Sequence, residues 1–210
     1  MLNVEKLVVG LVQENTYVIY NEANEALIID PGDDADRIIA WVKENDWNPQ
    51  AVLITHAHFD HVLAVDAVRD EFGIEAYVHE IEAEFFQHPD FNMLPSLSRE
   101  NRPAEHLWTD IGEHTVGSFT FDIALVPGHS LGHVIYIFKE DEFVICGDTV
   151  FSGSIGRTDL PGGDLNILLE GIARDILTLP ANYVLFPGHG GSTTVSQEIQ
   201  SNPFLQGFRA

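Results

Sequence analysis

The stretch Thr55-His56-Ala57-His58-Phe59-Asp60-His61 constrains this chain more than any other part of it. Three imidazoles and a carboxylate follow directly on Ala51-Val52-Leu53-Ile54, an apolar run that reads as a buried strand. Polar groups packed that densely beside a core are costly unless a cation partners them, so the segment predicts metal binding. His56 and His58 are two apart, and in extended chain such side chains point the same way. Asp60 and His61 come after the chain turns into the next helix. One loop can thus offer two imidazoles to one cation, and an acid plus an imidazole to a second. Three more apolar strands run into the same kind of residue. Residues 123–128 lead to His129, 143–147 to Asp148, and 183–188 to His189. A glycine directly precedes each of these three, where it permits a sharp turn and close backbone approach. Function in layered α/β proteins collects on such strand-end loops.

The donor chemistry is narrow. Cys146 is the only cysteine, which rules out an internal disulfide and a thiolate-rich cluster. His and Asp without thiolate is a set expected for zinc, with iron or manganese possible. His79, His88, His106 and His114 read as ordinary surface or core residues. His133, four after His129, is a candidate support for a neighbouring ligand.

Composition excludes other classes. Lys and Arg number 10 against 33 Asp and Glu, a formal charge of −23, so nucleic acid and anionic membranes are poor partners. Two divalent cations would cancel little of that charge; it reads as an acidic, solubilising surface. No apolar run approaches the roughly 18–20 residues that cross a bilayer. The first twenty residues read as two strands rather than a signal peptide, so the expected location is the cytoplasm.

The pattern along the chain predicts strands at 2–9, 15–20 and 26–29, the last closed by the turn Asp30-Pro31-Gly32. It predicts helices at 33–45 and 62–72 and strands at 51–54 and 74–78. Residues 86–106, interrupted by Pro89, Pro95 and Pro103, read as a long excursion with one short helix. Strands return at 118–126, 134–138 and 143–146, followed by a helix at 165–177, a strand at 183–186 and a short helix near 194–200. No linker is visible, so one domain over 1–210 is expected, with helices covering two packed sheets. The halves echo each other loosely: a strand meander, a strand ending in His or Asp, then a helix.

At this point the sequence resembles the metallo-β-lactamase superfamily. The carrying residues are Thr55 to His61, Pro127-Gly128-His129-Ser130, Gly147-Asp148-Thr149 and Pro187-Gly188-His189-Gly190. The resemblance spans nearly the whole chain and implies an α/β fold, the four-layer αββα sandwich. It implies that His56, His58 and His129 hold one metal, that Asp60, His61 and His189 hold a second, and that Asp148 bridges both. Common true β-lactamases carry Cys near the Asp148 position; Asp there is usual in thioester-hydrolysing branches. The run from Gly147 to Asp164, with Asn202-Pro203-Phe204-Leu205, is similar to the short bacterial glyoxalase II-like proteins, the hydroxyacylglutathione hydrolases. Full-length glyoxalase II adds a C-terminal helical domain that grips glutathione, whereas this sequence ends about twenty residues after His189. Thiol recognition is therefore expected to differ, with Arg99 and Arg102 of the 86–106 excursion, and Arg157, as candidate substrate contacts. Arg157 can equally pair with Asp159.

The resemblance implies attack by a hydroxide held between two cations, with Asp60 orienting it. A thiolate, of pKa near roughly 8.5, departs with little acid assistance. No acid for an amine leaving group stands out, which favours a small-molecule thioester of the S-lactoylglutathione type. Two rivals share the motifs: a mono-iron persulfide dioxygenase, and a lactonase or β-lactam hydrolase. A non-catalytic metal-binding scaffold is a third. Oligomeric state stays open, the 86–106 segment being a possible interface.

Overall fold

The computed structural model describes residues 1–88 and 100–207. The chain divides into two compact units, Met1–Thr109 with Thr115–Phe119, and Asp110–His114 with Thr120–Ala210.

In the first unit, β1 (Asn3–Val9), β2 (Glu14–Tyr20) and β3 (Glu25–Ile29) form an antiparallel meander. Then α1 (Ala35–Glu44) crosses to β4 (Asn48–Leu53), parallel to β3. The short α2 (Phe59–Val62) and α3 (Val65–Phe72) lead to β5 (Glu75–His79), parallel to β4. A 3-10 turn at Glu80–Glu82, α4 (Ala83–Gln87) and β6 (His106–Trp108) complete the sheet, ordered β1-β2-β3-β4-β5-β6. The core follows from the patterning. Ile38 and Val42 of α1 and Val65 and Val68 of α3 pack with Val18, Ile28, Val52, Ile54 and Val78 from the strands. Trp41 and Trp47 meet edge to face at 5.0 Å and close the end of α1.

The second six-stranded sheet is ordered β14-β13-β10-β9-β8-β7. It contains β7 (Gly112–Val116), β8 (Phe119–Leu125), β9 (Val134–Phe138) and β10 (Phe143–Gly147), with β8, β9 and β10 antiparallel in turn. The small hairpin β11 (Val150–Phe151) and β12 (Ser154–Ile155) stands apart from it. Then α5 (Leu165–Asp175) crosses to β13 (Val184–Pro187), parallel to β10, and β14 (Thr193–Thr194) runs into α6 (Val195–Ser201). Leu168 and Ile172 of α5 pack on Val126, Ile135, Val144 and Leu185. Asp164 caps α5, its carboxylate accepting from the amides of Asn166 and Ile167.

Two expectations need correction. The helix read at 62–72 begins earlier, inside the ligand loop, and is broken after Val62. The amides of Leu63 and Ala64 donate at 3.0 Å to the carbonyls of Gly32 and Pro31, so the Asp30-Pro31-Gly32 turn interrupts the helical ladder. The excursion read at 86–106 is shorter: α4 precedes it and β6 begins at its last residue, while 89–99 lie outside the described residues. The strands β6, β7, β11, β12 and β14 are too short or too polar for period-two alternation to reveal.

Candidate metal centre

In the first unit, topology gathers the loop and its supports at one sheet end. β3 and β4 are parallel with Ile29 opposite Leu53, so Asp30 and Thr55 leave adjacent strands side by side. β2 runs antiparallel to β3, which places its first residue, Glu14, at that same end. Asp30 is 2% exposed and sits at φ 46°, a left-handed conformation that Asp adopts more readily than most residues. Its Oδ1 accepts from the Thr55 amide at 2.8 Å. Its Oδ2 accepts from the Thr55 hydroxyl at 2.6 Å and faces His61 Nδ1 at 3.0 Å.

These contacts fix two tautomers. A carboxylate only accepts, so His61 carries its proton on Nδ1 and turns Nε2 to other use. Thr55 spends its single hydroxyl proton on Asp30, so at 3.1 Å its oxygen accepts from His56 Nδ1, which directs Nε2 of His56 likewise. Asp30, His56 and His61 bring ligand-type atoms within 4.8 Å of one another. Asp30 already serves three donors, however, so it acts as the support of the two imidazoles rather than as a third ligand.

His56 Nε2 lies 3.1 Å from His58 Nδ1. Two nitrogens on one tetrahedral zinc stand about 3.3 Å apart, from bonds of about 2.0–2.1 Å. The pair is therefore spaced for a single cation. Asp60 Oδ2 is 3.8 Å from His61 Nε2, and both belong to the start of α2. Glu14, 1% exposed, stands behind His61 with Oε1 3.8 Å from Nδ1. Burial pushes its carboxyl well above the usual range; His61 opposes that shift, while Asp30 and Asp60 add to it. Gly32 is required here, since a Cβ would come within 1.8 Å of the Asp60 carbonyl oxygen.

In the second unit, β8, β10 and β13 point the same way, and each ends in a ligand-type residue. Gly188 N donates to Gly147 O at 2.8 Å, which sets Asp148 and His189 beside each other. Asp148 Oδ2 lies 3.5 Å from His129 Nε2 and 3.5 Å from His189 Nε2. His129 Nδ1 donates to the Arg157 carbonyl at 2.8 Å, so Nε2 is its ligand nitrogen. His133 Nε2 accepts from the Asp148 amide at 3.0 Å and holds that backbone. Gly156 presses against Asp148 and His129, as a Cβ there would lie 1.9 Å from the Asp148 carbonyl oxygen and 3.2 Å from His129 Nδ1. Phe151 closes on His189 edge to face, with ring centroids 6.0 Å apart. Cys146 is buried behind Asp148, and that burial pushes its thiol pKa up.

The seven metal-ligand candidates thus fall in two sets that follow strand ends: His56 and His58 in the loop after β4 with Asp60 and His61 in α2 in one unit, and His129, Asp148 and His189 in the other. Two of the three candidate arginines are described, and carboxylates hold the side chains of both. The Arg157 side chain forms a bidentate pair with Asp159 at 2.8 Å and holds its carboxyl down to about 2. Arg102 is tied to Asp70 and, at 3.4 Å, to Asp66, both on α3. Arg99 lies outside the described residues. Sequence reasoning missed Asp30, noticed only as a turn residue, as well as Glu14 and Glu82. It also missed that Arg157 serves His129 through its carbonyl, a role no side-chain pattern records.

A family model described as the metallo-beta-lactamase superfamily matches residues 9–189. The chain is 40% identical over 206 residues to the "Probable metallo-hydrolase YqgX" of Bacillus subtilis, covering 97% of each. It is 34% identical over 219 residues to the hydroxyacylglutathione hydrolase GloC of Haemophilus influenzae, covering 97% of this chain and 98% of that one. Among solved structures, BLEG-1, described as a B3 metallo-beta-lactamase, superposes with a TM-score of 0.93 at 44% identity, over 97% of this chain and 99% of the other. A protein solved in a di-iron-bound form gives 0.86 at 34% identity, over 96% and 100%.

The chain belongs to the metallo-beta-lactamase superfamily and has its fold. Within that class it is a metallo-hydrolase, whose His and Asp clusters imply divalent metal ions.

Proposed function

We propose that the chain hydrolyses small-molecule thioesters of the S-lactoylglutathione type at a two-metal centre assembled from both ligand sets. His56, His58 and His129 would hold one cation and Asp60, His61 and His189 the other, with Asp148 shared. The single observation that carries this is Asp148: one oxygen stands 3.5 Å from each of two imidazoles that would serve different metals. Zinc suits the His and carboxylate donors; the di-iron form of a similar protein makes iron the competing metal.

Bound divalent cations supply Lewis acidity and acidify water. The chain's own groups do the rest. Asp60, half-buried at the start of α2, accepts a hydrogen bond from the attacking water and orients it. Asp30 and the Arg157 carbonyl keep the imidazole protons on Nδ1, so that no proton competes at Nε2. The leaving thiolate needs no proton donor. The 34% identity to GloC supports this substrate class.

A β-lactam is the second reading, favoured by the 44% identity to BLEG-1. Assay of a thioester panel beside a chromogenic β-lactam separates the two. Thioester hydrolysis is expected, abolished by chelation and by His58→Ala. Lactam turnover without thioester turnover would overturn the proposal, as would oxygen uptake with one iron per chain.

A further inference from the structure

Where β4 ends at Leu53, the backbone leaves the sheet and its buried amides need new acceptors. The Ile54 amide still reaches Tyr77 O at 3.0 Å. The Thr55 amide goes to Asp30. The Ala57 amide donates to Glu82 Oε2 at 2.9 Å. Both Ala57 and Glu82 are 1% exposed, so water does not substitute for this contact. Glu82 closes the 3-10 turn after β5, in a segment with no metal-ligand motif, and the structure brings it under the ligand loop.

The position of that amide matters. It belongs to the peptide between His56 and Ala57, in the short interval separating two imidazoles held with nitrogens 3.1 Å apart. Turning this peptide changes ψ of His56 and φ of Ala57, and so changes the angle between the two rings, now 83°. A buried hydrogen bond that water cannot replace resists that rotation, because breaking it would leave the amide unsatisfied. We propose that Glu82 is a positioning residue for the His56–His58 pair, fixing the intervening peptide so that both nitrogens converge on one cation. The proposal rests on the two-metal reading above, and deepens it by assigning the element that presets the first cation's site.

The test uses the full chain stripped of metal, with Zn(II) affinity read against a chromophoric chelator and Co(II) loading read by its visible spectrum. Glu82→Ala and Glu82→Met remove the acceptor, the latter while filling the space. Glu82→Gln keeps an oxygen that can accept from Ala57. The first two are expected to weaken the tighter Zn(II) site on the order of 10- to 100-fold and to shift the Co(II) bands, with thermal melting of the apo chain showing that they fold. Glu82→Gln is expected to restore both readouts. Unchanged affinity and spectrum in a folded Ala or Met variant would overturn the proposal. So would Glu82→Gln as weak as Glu82→Ala. Wild-type chain that binds no cation would instead sink the underlying metal reading.

Discussion

Asp30 and Arg157 show how much of a metal site lies in atoms that never touch the metal. One carboxylate sets the tautomers of His61 and, through Thr55, of His56; one backbone carbonyl sets that of His129. Away from the loop, His79 carries a cleaner titration signal. Its Nδ1 accepts from the Ile81 amide, and burial holds its pKa below the ordinary 6.5 against smaller opposing effects of Glu80 and Glu82. Above pH 6.5 the ring is neutral folded or unfolded. As pH falls below that, the unfolded chain takes up the proton first, so stability is lost down through the folded value. His79→Asn keeps an acceptor for Ile81 without titrating. Urea melts are therefore expected to show wild type losing stability relative to the variant as pH falls below 6.5; parallel curves would refute this. The seven ligand candidates were picked out in sequence by the dense run from His56 to His61 and, for His129, Asp148 and His189, by strand, glycine and ligand type recurring together. Asp30, Glu14 and Glu82 were not, because their roles come from strand pairing and from contacts across long sequence separations.

At the scale of elements, α6 does more than end the chain. Glu198 is fully buried and its carboxylate accepts from Thr193 Oγ1 at 2.6 Å, Asn202 Nδ2 at 2.7 Å and the Gly153 amide at 3.0 Å. Asn202 also donates to Ser154 O at 2.9 Å. The helix thereby ties down the β11–β12 hairpin, whose Phe151 packs on His189. Glu198→Ala would leave several buried donors unsatisfied and is expected to cost about 3 kcal/mol or more in urea denaturation. A loss under about 0.5 kcal/mol would mean that water replaces the carboxylate. The helices α1 and α5 were readable from apolar periodicity, with acids at the start of α1. The break between α2 and α3 was not, because it is imposed by the Asp30-Pro31-Gly32 turn, outside the helical window.

At the scale of the molecule, the same plan appears twice: an antiparallel meander, a helical crossover, and parallel strands whose C-terminal ends carry the ligands. Among the described residues no helix is long and apolar enough to cross a membrane. The formal charge of −23 lies almost wholly outside the ligand sets, which hold five imidazoles and two carboxylates. The central claim is that both ligand sets serve one pair of metals. Metal quantification on purified protein, wild type beside His58→Ala and His129→Ala, tests it most directly. Two divalent ions per chain are expected in wild type, and fewer in each variant, although the two substitutions lie in different units. One ion per chain, or a count that only one of the substitutions lowers, would contradict it.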